Sequence, residues 1–171
     1  IALGIEYDGS AYAGWQHQSH ARSVQGELER ALAEVADHDV SLASAGRTDA
    51  GVHADGQAAH VDLPSDIDPD VVVRATNTRL PADIRVRSAA LVPDDLHARF
   101  SASAKTYRYA WLVSRMGHPL LARTHWLVSP PVDLVAMAAA AARLAGTHDF
   151  AAFQSTGTPV SSTVRTITGV D

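Results

Sequence analysis

The stretch Ala45-Gly46-Arg47-Thr48-Asp49-Ala50-Gly51-Val52-His53-Ala54-Asp55-Gly56-Gln57 holds three glycines, one arginine, one histidine and two aspartates. Val40–Ala45, which leads into it, reads as a short apolar strand. Gln57–Leu63, which leaves it, alternates apolar and polar residues, the period of a half-buried strand. The glycine-rich segment therefore joins two strands. Glycine accepts backbone conformations that a Cβ forbids, so the loop can bend tightly around a ligand. Asp49 follows Arg47 within that bend, and a carboxylate beside a guanidinium stays ionised. On a concave loop such an aspartate serves as nucleophile or general base. The same pair would equally serve as a structural ion pair that staples the turn.

Reading outward, Ile1–Tyr7 is an apolar strand and Asp8-Gly9-Ser10 a turn. Ser23 is an N-cap, and Val24, Leu28, Ala31, Leu32 and Val35 recur at helical spacing. After Leu63, Asp68-Pro69 opens a second helix that ends near Arg79, and Ile84–Val92 is a further strand. The order β-α-β-β-α-β is that of the split βαβ, ferredoxin-like unit. A second unit starts near Arg99. Ser103–Val113 reads as a strand with Tyr107, Tyr109 and Trp111 on one face. Asp133–Ala145 reads as a helix stopped by Gly146, and Thr163–Asp171 as a strand. The expected domains are 1–98 and 99–171, with the second sheet unfinished within this chain.

The 171 residues suffice for one domain or two small ones, and 46% hydrophobic with 19% charged residues is ordinary for a folded protein. There is no cysteine, which excludes disulfide frameworks and Cys-based zinc sites. No apolar run is long enough to span a bilayer, and no signal-peptide pattern opens the sequence, so a cytoplasmic location is expected. The net charge of −5 argues mildly against nucleic-acid binding. However, the cations are nearly all arginine, and nine of them, Arg74 to Arg123 with the single Lys105, lie in the middle of the chain. Arginine suits forked recognition of phosphates and stacking on bases.

Three further clusters have two readings each. Arg99-Phe100-Ser101-Ala102-Ser103-Ala104-Lys105-Thr106-Tyr107-Arg108-Tyr109 alternates aromatics with cations, which suits stacking on unpaired bases or a strand with its aromatics in the core. His53, Asp55 and His60 are residue types that hold a divalent metal, although their spacing is not that of a helical pair. Trp15-Gln16-His17-Gln18 would touch a ligand or pack over the first helix. No Gly-x-Ser-x-Gly elbow, P-loop or dinucleotide fingerprint occurs.

Taken together, these residues resemble the tRNA pseudouridine synthase A family. Tyr7-Asp8-Gly9 with Gly14-Trp15-Gln16 is similar to the family's opening motif, and Ser23-Val24-Gln25 with Leu28-Glu29 and Ala31-Leu32 to its first helix. Gly46 to Ala54 is similar to its catalytic signature. Asn77 with Leu80-Pro81 and Ile84, His97 to Ala102, Tyr107-Arg108-Tyr109, and Gly146 to Phe150 with Phe153 follow in the family's order. The resemblance implies an α+β pseudouridine synthase fold of two ferredoxin-like, RRM-like halves with an antiparallel sheet. It implies isomerisation of uridine in the anticodon stem-loop (tRNA positions 38, 39 and 40). Asp49 would be the nucleophile, Arg47 would help displace the target base, and Tyr107 would stack on it. The resemblance further implies tRNA as partner, a homodimer across which the tRNA lies, and no cofactor or metal. The family's pattern also continues into a segment that has no match here, so an incomplete chain is expected. The alternatives are a non-catalytic RNA-binding module of ferredoxin-like form, or a metal-dependent hydrolase built on His53, Asp55 and His60.

Overall fold

A computed structural model describes residues 1–64, 66–154 and 160–170. The chain divides into two compact units, Ile1–Tyr109 and Ala110–Asp171. The first contains β1 (Ala2–Tyr7), α1 (Val24–Ala36), β2 (Leu42–Ser44), β3 (Ala54–Val61), α2 (Pro69–Asn77) and β4 (Ile84–Ala90). The four strands lie in the order β2-β3-β1-β4, with every neighbouring pair antiparallel. This is the split βαβ arrangement that the element order predicts for the first unit.

Side-chain alternation explains the layering. Leu3, Ile5 and Tyr7 of β1, Ala59 and Val61 of β3, and Ile84 and Val86 of β4 are buried, and alternate residues of a strand share one face. Val24, Leu28, Ala31 and Leu32 of α1 and Val72 of α2 complete the same core, so both helices cover that face. The intervening positions face the other way, where Arg87 Nε lies 3.3 Å from Glu6 Oε2.

Local chemistry sets the helix ends. Ser23 Oγ accepts from the Gly26 amide at the start of α1, and Asp68 from the Asp70 amide ahead of Pro69 in α2. Gln25 Nε2 donates to the Leu42 carbonyl, while Glu29 accepts from the Leu42 amide, and these bonds tie α1 to β2. The Asn77 side chain pairs with both main-chain groups of Val86, at 2.8 and 2.9 Å, and ties the end of α2 to β4.

The second unit, described by itself, contains β5 (Trp111–Val113) paired in parallel with β6 (Trp126–Val128), α3 (Leu134–Ala142), and β7 (Gly146–Asp149) paired antiparallel with β8 (Val164–Ile167). Asp133 caps α3 by accepting from the Ala136 amide. The helix stops before the expected Ala145, because its last bonds run from Arg143 to Ala140 and from Leu144 to Ala141, a tighter three-residue turn. The strand expected over Ser103–Val113 forms only at Trp111–Val113. A strand needs a neighbouring ladder, and among the described residues none pairs with 103–109. The strand expected over Thr163–Asp171 is found as β8, and Asp171 lies outside the described residues.

Candidate active site

The Asp49 loop is clamped from behind by the segment that follows β1. The Trp15 amide donates to the Thr48 carbonyl at 2.9 Å, and the Gly51 amide donates to the Tyr12 carbonyl at 3.3 Å. These two bonds bracket Asp49. The Tyr7 hydroxyl lies 2.7 Å from Thr48 Oγ1. Gln57 Nε2 and Ser44 Oγ both donate to the Gly46 carbonyl, at 2.6 and 3.1 Å. At the far end of the loop, His53 Nδ1 lies 3.1 Å from Asp8 Oδ1 and 3.3 Å from the Gly9 amide nitrogen.

The glycine at position 14 makes this close approach possible. Its φ is +101°, and a Cβ there would lie 2.6 Å from the Thr48 carbonyl oxygen. Gly51 turns the loop at φ +79° in open space.

The anchored backbone presents Arg47 and Asp49 outward. Both residues are exposed, while Thr48 between them is half-buried. An extended segment alternates its side chains in this way. Among the described residues no ion pair joins Arg47 to Asp49, so the loop is not stapled by that pair. Hydrogen bonds from the core side hold the turn instead. Both charged groups are left open to solvent on one side of the loop.

Tyr107 belongs to the same unit and stands 72% exposed. Its flanking cations reach the loop. A Cβ built on Gly46 would lie 2.9 Å from Lys105 Nζ, so the lysine chain runs along Gly46. Arg108 lies 3.7 Å from Asp55, with both groups largely in solvent, a contact worth little in stability. Phe100 and Tyr109 are 77% and 82% exposed, which removes the reading that places these aromatics in the core. Arg99 lies over the Phe100 ring at 5.6 Å. Elsewhere in the unit, Arg79 and Arg87 are paired with Glu34 and Glu6, so part of the central positive charge is neutralised.

The structure does not gather His53, Asp55 and His60. No group of three possible metal ligands occurs among the described residues. His53 faces Asp8, Asp55 faces Arg108, and His60 Nδ1 accepts from the Ala98 amide at 3.1 Å. The Trp15 motif divides between its two readings. Trp15 is buried, with its ring 5.9 Å from that of Tyr7. Gln16 and His17 instead line an open groove of about 750 Å³ with Gln25, Gly26, Glu29 and Arg30 of α1.

Two buried phenols stand behind the loop. Burial pushes the Tyr7 hydroxyl above the ordinary tyrosine value, against the opposing effect of its bond to Thr48. Burial and then the 2.6 Å bond to Asp83 push Tyr12 up as well. Sequence reasoning gave Tyr7, Tyr12, Thr48 and Gln57 no role beside Asp49. The available signal was Thr48, an inward position between two polar outward ones.

A family profile described as tRNA pseudouridine synthase matches residues 4–101, which include Arg47 and Asp49 and stop short of Tyr107. The chain is similar to a tRNA pseudouridine synthase A of Syntrophotalea carbinolica, with 48% identity over all of this chain and 68% of that protein. It is 46% identical to the one of Paraburkholderia xenovorans, over 100% of this chain and 63% of that protein. It is 49% identical to the one of Nitratidesulfovibrio vulgaris, over 98% of this chain and 58% of that protein. The chain thus spans 58% to 68% of the length of these three relatives. No helix among the described residues is long and apolar enough to cross a membrane.

Proposed function

The chain belongs to the tRNA pseudouridine synthase A family, and on that premise we propose that it isomerises uridine to pseudouridine in the anticodon arm of tRNA. Asp49 is the nucleophile in this reading, with Arg47 and Tyr107 on the substrate. The observation that carries it is the outward, solvent-open placement of Arg47 and Asp49 on a loop fixed from behind, with no ion pair between them among the described residues. A carboxylate locked into a structural pair would have to break it before attacking.

The target nucleotide must leave the stack to reach Asp49. Flipping costs a few kcal/mol, least for bases already poorly stacked, as in a loop. Arg47 takes the displaced backbone or base position with its forked donors, and the exposed Tyr107 ring covers the flipped uracil. The Asp49 carboxylate then attacks ribose C1′ or the base, or assists glycal formation. The N1–C1′ bond breaks, the uracil turns, and C5 bonds to C1′ while any bond formed to Asp49 breaks and the carboxylate is regenerated. The C5 proton is lost and N1 gains one. Atoms and electrons balance within the nucleotide, so the chemistry calls for neither a redox partner nor a group donor. Lys105 and Arg99, the latter over the Phe100 ring, supply part of a basic path for phosphates, and a homodimer would extend it across two chains. A second ferredoxin-like half and action in the cytoplasm belong to the same proposal.

The test is tritium release from tRNA carrying [5-³H]uridine, with wild type and Asp49→Ala side by side, each with and without a chelator. Release by wild type alone supports the assignment. Bound tRNA with no release from either protein would make the chain an RNA-binding module instead. Release that stops with chelator would restore the metal-dependent reading.

A further inference from the structure

We infer that Tyr7 is a positioning residue for Asp49 and acts through the Thr48 hydroxyl, an inference that rests on the nucleophile role proposed above. No hydrogen bond or ion pair fixes the Asp49 carboxylate among the described residues, and the residue is exposed. Its aim is therefore set by the backbone on either side of it. On the N-terminal side that backbone is Thr48, which is held twice. Its carbonyl accepts from the Trp15 amide at 2.9 Å, and its Oγ1 lies 2.7 Å from the Tyr7 hydroxyl. Tyr7 and Trp15 are both buried in the core, with ring centroids 5.9 Å apart, so the two anchors support each other.

The side chain of Thr48 makes the hydroxyl bond directional. Threonine is stiff at χ1, so fixing Oγ1 fixes the rotamer and, with it, the orientation of the Thr48 main chain. The peptide that follows leads directly to Asp49. Tyr7 is the last residue of β1, a central strand of the sheet. Tyr7 thereby makes a short rigid path from the sheet to the reacting carboxylate, with the hydroxyl–hydroxyl bond to Thr48 at its loop end and the Gln57 side chain as a second partner of the phenol. Removing that bond leaves the core in place and frees the Thr48 rotamer.

The experiment measures kcat and KM for tritium release, with melting temperature alongside, for Tyr7→Phe, Thr48→Val and Thr48→Ser in the full chain. A displacement approaching 1 Å costs about 100-fold in rate, so Tyr7→Phe and Thr48→Val are expected to lose about 10- to 100-fold in kcat with KM within about twofold. Thr48→Ser keeps the hydroxyl and should stay within about threefold of wild type, and the Tyr7→Phe/Thr48→Val double variant should lose no more than either single one. Asn77→Ala, which removes the comparable bridge between α2 and β4, serves as a control that lowers melting temperature without a change in kcat. The inference is overturned if Tyr7→Phe keeps wild-type kcat, or if Thr48→Ser falls as far as Thr48→Val. Should Tyr7→Phe fail to fold, the Thr48 pair decides alone. An inactive wild type, or an active Asp49→Ala, sinks the proposed reaction itself and this inference with it.

Discussion

Replacing Gly14 by alanine tests how the Asp49 loop is held. The added Cβ would sit 2.6 Å from the Thr48 carbonyl oxygen, 3.2 Å from the Asp49 carbonyl carbon and 3.3 Å from the Ala50 nitrogen. Ordinary contact begins at 3.4 Å, so the Thr48 carbonyl must retreat by roughly 0.8 Å, and all three neighbours are backbone that has no rotamer to yield. The same carbonyl accepts the Trp15 amide, so the retreat also stretches that bond. Alanine at φ +101° adds backbone strain of about 1–3 kcal/mol. The overpacking adds about 1–3 kcal/mol more. At about 4–8 °C per kcal/mol for a domain of this size, the melting temperature should fall by at least about 8 °C. Because the displaced atoms carry Asp49, kcat should fall by up to about 100-fold with KM little changed. Two alanines calibrate the result. Gly51→Ala meets no atom within 4 Å but has φ +79°, so it reports strain alone. Gly56→Ala meets nothing within 4 Å at an ordinary φ and should be neutral. Calorimetry and tritium release read the two effects separately. The reasoning is refuted if Gly14→Ala melts no lower than Gly51→Ala and keeps kcat within about twofold of wild type.

Other outcomes are expected from the same geometry. Tyr107→Phe keeps the ring and should bind tRNA as wild type, whereas Tyr107→Ala should weaken binding by about 1–3 kcal/mol of lost stacking; gel-shift titration separates them. Lys105→Met should lower the slope of log affinity against log salt by about one phosphate contact, about 0.7–0.9, measured by tRNA titration at several salt concentrations. An unchanged slope would mean that Lys105 only covers Gly46. The raised values of Tyr7 and Tyr12 fix the sign of the alkaline response. Their stabilisation is fully present below the unfolded tyrosine value of about 10 and is lost as pH rises through the higher folded values. Urea midpoints should therefore be flat up to about pH 10 and fall above it, and Tyr12→Phe should shallow the fall.

Much of this protein was legible in the order of its residues. Caps at Ser23, Asp68 and Asp133 act within one turn of chain, so each helix start could be read locally. The alternation of β1 and β3 and the helical spacing of α1 record which face is buried, and so the first sheet and its covering helices followed from pattern. The loop at Asp49 was marked by its glycines and charges. The strand state of 103–110 was not legible, because alternation describes a face while a ladder needs a partner elsewhere in the chain. The parallel pairing of β5 with β6 and the β7–β8 pair escaped for the same reason. Sequence also left open whether Arg47 and Asp49 staple the turn. Only the fold decided that, by supplying the Trp15 amide, the Tyr12 carbonyl and the Tyr7 hydroxyl from 33 to 41 positions away. Short-range chemistry is written in neighbouring residues, whereas the aim of a catalytic group depends on contacts that exist only once distant segments have packed.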